Sequence, residues 1–232
     1  MKRRAILLVS HPVEHVFEHA CRDSDLFSNF LMSEIGGGWR EAEISQHTNP
    51  SRNLVLSSID EANDSDYTLV YFIGKGSTQK MGRPWAEFAI HLNSEMVSER
   101  ELNSGAQRMC QIFDCTLNSQ LPEGNQLPAL SPRPPRHTGR QEIFRDLYEN
   151  SLKKAEQGIV KLLATGHSTD ISSFTALLIS ETRQWALHHK GVLSLNEAID
   201  RAKASQALQN PNVIAEYNCG RRLHDFPFAI QR

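Results

Sequence analysis

The run from Asp66 to Ile73, Asp-Tyr-Thr-Leu-Val-Tyr-Phe-Ile, constrains the fold more than any other part of the chain. Apart from Asp66 and Leu69 its residues are β-branched or aromatic and suit a pleated surface. No polar residue alternates with the apolar ones after Thr68. A strand that is apolar on both sides must be covered on both faces, the place of a central strand in a parallel sheet. Ala5 to Val9 and Gln107 to Phe113 read the same way. Between these runs, Arg22 to Glu34 carries Leu26, Phe27, Phe30 and Leu31 at helical spacing. Pro50 opens a second helix with Leu54, Val55, Ile59 and Ala62 on one stripe. Further helices are predicted over Trp85 to Met96, Gln141 to Gln157, Ser172 to His188 and Ser194 to Ala207. Shorter strands are predicted over Glu41 to Gln46, Gly158 to Leu163 and Asn212 to Cys219. This alternation implies an α/β fold, a mainly parallel central sheet with helices on both faces. In such sheets functional loops lie beyond the carboxyl ends of the strands. Two candidate loops follow strong strands: Gly74 to Gln79 and Asp114 to Asn118.

The length of 232 residues suits one domain, 1–232, with an inter-element loop at 117–140. Five prolines (Pro122, Pro128, Pro132, Pro134 and Pro135) exclude a regular element from that loop. The net charge of -2 leaves no global basic field, so neither nucleic acid nor an anionic membrane is expected as a partner. The apolar run Ala5 to Val9 is too short for a signal-peptide core or a spanning helix. Cys21, Cys110, Cys115 and Cys219 show no Cys-x-x-Cys spacing and read as reduced thiols of a cytoplasmic protein. Gly74 to Thr78 lacks the spacing of a phosphate loop, and no cofactor is expected. His11, His15 and His19 step by four beside Glu14 and Glu18, but without the His-Glu-x-x-His order they read as surface histidines, with no metal expected.

Tyr71-Phe72-Ile73-Gly74-Lys75-Gly76-Ser77-Thr78 resembles the strand and loop of bacterial caspase-like proteins and metacaspases, whose pattern there is aromatic-Ser-Gly-His-Gly-[Ser/Thr]. Ile112-Phe113-Asp114-Cys115-Thr116 resembles their second motif, Asp-x-Cys at a strand end. Arg22 to Leu26 is similar to their helix start after strand one, and the segments Gly166 to Leu178, Gly191 to Leu195 and Phe226 to Ile230 match in style. The two motifs stand about 40 residues apart, near the separation usual in caspases. The resemblance implies a caspase-like fold and a cysteine-peptidase site, and bacterial relatives often accompany defence genes. It also implies specific departures. Lys75, between Gly74 and Gly76 of the binding loop, stands where the family has its catalytic histidine. Thr116 stands at the nucleophile position, and a one-residue slip would put Cys115 there. By resemblance Asp114 and Asp170 would line a pocket for a substrate Arg or Lys.

Cysteine proteolysis needs a thiolate and a group that takes and returns a proton. A lysine ammonium, with a pKa of ~10.4, costs about 4.6 kcal/mol to run neutral at pH 7. A charged Lys75 is therefore a poor base, although it could hold Cys115 as a thiolate. A Thr116–Lys75 dyad is a further option. Lys75 could also pair with Asp114 and occupy the basic pocket from inside; otherwise Asp114 brackets backbone N–H groups. Asp170 better suits an N-cap of the helix near Ser172. The expected function is that of an inactive pseudocaspase, a binding or regulatory partner of another protein or of an active caspase-like relative. The alternative is an active endopeptidase cutting after Arg or Lys. The oligomeric state is left open.

Overall fold

A computed structural model describes residues 1–79, 87–116, 139–166, 174–209 and 225–232. In chain order the elements are β1 (Arg3–Ser10), α1 (Glu14–Met32), a 3-10 turn at Glu41–Glu43, β2 (Ile44–Thr48), α2 (Arg52–Glu61), β3 (Tyr67–Gln79), β4 (Glu87–Leu92), β5 (Glu95–Ser98), β6 (Arg108–Thr116), α3 (Gly139–Lys154), β7 (Gly158–Gly166), α4 (Phe174–His188), β8 (Gly191–Ser194), α5 (Leu195–Gln209) and β9 (Pro227–Gln231). Five strands run parallel in the order β2-β1-β3-β6-β7. β4 and β5 extend the far end of β3 as antiparallel neighbours, and β8 pairs with β9 in a separate two-stranded antiparallel sheet, with α5 between them in the chain. The α/β class with a mainly parallel sheet is therefore as expected.

Side-chain alternation divides the core between the two faces of the sheet. Ala5, Leu7 and Val9 of β1, Leu69, Tyr71 and Ile73 of β3, and Cys110 and Ile112 of β6 pack with α1, α3, α4, α5 and β9. Ile6 and Leu8, Val70 and Phe72, and Met109, Phe113 and Cys115 point the other way, onto α2 and the β4–β5 hairpin. The near-continuous apolar runs in the sequence are the signature of this double covering.

Three expectations are corrected. Gly74 to Gln79 is not a loop: β3 continues through it, and its far end pairs with β4. The helix expected over Trp85 to Met96 is overturned from Glu87 onward, since Glu87–Leu92 and Glu95–Ser98 are strands joined through Asn93 and Ser94. The first helix starts at Glu14, eight positions before Arg22, so His15 and His19 lie on it while His11 precedes it. The strand expected over Asn212 to Cys219, and all of the proline-rich loop up to residue 138, lie outside the described residues.

The extension of β3 depends on one glycine. A Cβ at Gly74 would lie 1.9 Å from the carbonyl oxygen of Ser10 on β1, at a φ of +154°. Only a residue without a side chain lets the two strand ends come this close.

Candidate functional site

Register brings the expected site residues to the carboxyl end of the parallel sheet. Gly74 pairs with Ser10 on one side and with Cys115 on the other. Lys75 pairs with Thr116, and Ile73 with Asp114. Asp170 lies outside the described residues, and Thr116 is placed by its backbone alone.

Alternation then separates the candidates. Lys75 follows Tyr71 and Ile73, and Asp114 follows Cys110 and Ile112, so both belong to the face covered by α1 and α4. Cys115 belongs to the opposite face and is 2% exposed. A Cβ built on Gly76 would meet the Cys115 sulfur at 3.0 Å and the Phe88 ring at 2.6 Å, so the thiol lies directly under the glycine and against the aromatic ring. Burial, with the Asp114 charge adding to it, pushes the Cys115 thiol well above its ordinary pKa. The resting sulfur is a buried thiol with the sheet between it and Lys75.

Asp114 is engaged from α4. Its Oδ2 accepts the Thr175 N–H at 2.9 Å and the Thr175 hydroxyl at 2.7 Å, and that hydroxyl lies 2.9 Å from the Tyr71 hydroxyl. Thr175 sits in the first turn of α4, where an anion satisfies free N–H groups. Burial nevertheless raises the Asp114 pKa, and the two bonds from Thr175 only partly offset this. The expected Lys75–Asp114 ion pair does not occur among the described residues. Asp114 instead brackets a helix start, the second of the two readings its sequence context left open.

Lys75 has imidazoles on two sides. His11 follows the end of β1, and His91 lies on β4, one step past the Gly76–Ile90 pair. The positive charge of Lys75 adds to burial in lowering the pKa of both His11 and His91. His91 Nε2 lies 2.7 Å from the hydroxyl of Ser77, which is two residues beyond Lys75 on the same face. Lys75, Ser77 and His91 are all half-buried, at an edge open to solvent.

From the sequence Thr175 has no site role, and His91 enters only as an imidazole that could lie against the Cys115 sulfur, not as a partner of Ser77. The alternation of buried Phe88, Ile90 and Leu92 was the available signal for His91. A threonine one residue into a helix was the signal for Thr175. Among the described residues no three His, Cys, Asp or Glu side chains are grouped to hold a metal ion, and no helix is long and apolar enough to cross a membrane.

Fold and site together define an α/β protein with a polar cluster at the carboxyl edge of a parallel sheet. No family model and no curated protein matches the sequence. Among solved structures, the chain is similar to caspase-1 from Spodoptera frugiperda, with a TM-score of 0.49 and 14% identity over 99% of this chain and 84% of that one.

Proposed function

We propose that the chain is a caspase-like domain without cysteine-peptidase chemistry, acting as a binding or regulatory partner of another protein. The observation that carries this reading is the placement of Cys115 and Lys75 on opposite faces of the sheet, with the cysteine buried. A thiol there can neither reach a peptide at the strand ends nor give its proton to a group beside Lys75. Asp114, which the family resemblance makes a pocket residue, is occupied by Thr175. A pocket for a substrate Arg or Lys would have to compete with that helix contact.

The test is an assay of the purified protein on fluorogenic peptides ending in Arg or Lys, with an alkylating probe for the active-site thiol. Expected are no turnover and no labelling of Cys115 in the folded protein. Turnover that disappears in Cys115→Ala would overturn the reading and establish the alternative, an endopeptidase cutting after basic residues. The partner role is tested separately, by asking whether Lys75→Glu weakens binding to an interacting protein while leaving the fold intact.

A further inference from the structure

The pair formed by Ser77 and His91 takes no part in the binding role; Ser77 is the Ser/Thr position that closes the first motif, and His91 lies outside both motifs. Ser77 Oγ and His91 Nε2 are 2.7 Å apart, within the reach required of a nucleophile and its base. The two residues come from adjacent antiparallel strands, β3 and β4, whose register fixes their relative position. A pair held on strands is positioned more tightly than one on loops. Both side chains are half-buried, so a small ligand can approach them, whereas Cys115 is sealed. Lys75 shares the face and places positive charge beside the pair.

We propose that Ser77 and His91 form a serine-type nucleophile–base dyad that accepts acyl groups from small esters, with the Lys75 ammonium stabilising the oxyanion. Ser77 Oγ attacks the ester carbonyl carbon as its proton passes to His91 Nε2. The carbon–oxygen bond to the alcohol breaks, and the alcohol leaves with the proton from His91. Water then adds to the acyl carbon while His91 takes its proton. The acid departs and Ser77 regains its hydrogen, so the sum is ester plus water giving acid plus alcohol. His91 must be neutral for the first step, with its free electron pair on Nε2. Burial and the Lys75 charge both favour the neutral ring. A developing oxyanion near an ammonium is stabilised in the transition state more than in the ground state.

This inference goes beyond the binding role and does not depend on it, since labelling needs no partner. The experiment treats the folded full-length chain with a fluorophosphonate probe, maps the adduct by peptide mass spectrometry, and follows p-nitrophenyl acetate hydrolysis across pH. The expected adduct is on Ser77, and pre-treatment with iodoacetamide leaves its rate unchanged. His91→Gln is expected to slow labelling at least about 100-fold, the lower end of a general base's contribution. Lys75→Met is expected to move the apparent pKa of the labelling rate upward, towards the ordinary histidine value of ~6.5. A structural pair would show no such shift. An intact wild-type protein with no Ser77 adduct overturns the proposal whatever the variants do. So does a folded His91→Gln protein that labels at the wild-type rate.

Discussion

At the scale of single residues, Lys75 and Cys115 make a prediction opposite to the one suggested by aligning motifs. If the histidine were the only missing part, Lys75→His would restore peptidase activity. With the sulfur on the far face, Lys75→His is expected to give no turnover of Arg or Lys peptides. The check is the fluorogenic assay on the variant beside wild type. The same geometry predicts that Cys115 is modified by iodoacetamide only after denaturant opens the core, read by mass spectrometry with and without urea. Titration of His91 has a definite sign. Its folded pKa lies below its unfolded value of ~6.5. Its contribution to stability is therefore complete above that value and is lost as pH falls through the folded pKa. Much of this residue-level site was legible in the sequence. The two motifs lead to the strand ends that adjoin, Gly74 beside Cys115 and Lys75 beside Thr116. What they could not convey was the face. Cys115 and Thr116 are adjacent letters, and only the phase of the β6 alternation says which of them shares a side with Lys75.

At the scale of elements, the strands covered on both faces were readable and the edge hairpin was not. Ala5 to Val9, Asp66 to Ile73 and Gln107 to Phe113 are long apolar runs because helices or strands cover both their sides. β4 and β5 carry Glu87, His91 and Glu95, polar residues four apart, which mimic the exposed stripe of a helix. Their roles are separate in the structure: Glu87 pairs with Arg100 at 3.4 Å, His91 meets Ser77, and Glu95 accepts the N–H of Arg52 at 2.9 Å. Tertiary contacts set the strand, against a helix-like local pattern. The turn between β4 and β5 contains Asn93 at a φ of +48°, a left-handed conformation that asparagine tolerates and β-branched residues do not. Asn93→Val is expected to destabilise the protein by about 1–2 kcal/mol, measured as a shift in the urea midpoint. Because His91 is two residues from that turn, the same variant is expected to weaken the Ser77–His91 contact, which the phosphonate labelling rate reports.

At the scale of the whole molecule, a buried ionic cluster joins segments more than a hundred positions apart. The Arg3 guanidinium is fully buried, with Glu43 at 3.3 Å and Glu149 at 3.6 Å, and it stacks 4.4 Å from the Trp39 ring centre. Arg145 completes the cluster, at 2.6 Å from Glu43 and 3.0 Å from Glu149. β1, the 3-10 turn and α3 are thereby held to one another. Removing one partner strands a buried charge, and Glu43→Ala is expected to cost about 3–5 kcal/mol. Burial pushes the Glu43 carboxyl up, but the Arg145 hydrogen bond and the Arg3 charge outweigh it and hold the folded pKa below the ordinary carboxylate value. This stabilisation is present above the unfolded value of about 4.3 and is lost as pH falls through the folded one. Glu43→Gln is expected to flatten that acid limb, seen by comparing urea midpoints of variant and wild type from neutral pH down to about pH 3.

The alternation of β6 also says what rebuilding a thiol protease here would require. An imidazole at 75 and a sulfur at 115 would be like a key and a lock fitted to opposite sides of one door. Position 116 is the one paired with 75, so Lys75→His and Thr116→Cys would have to be made together, and neither replacement alone would set the two groups on a common side.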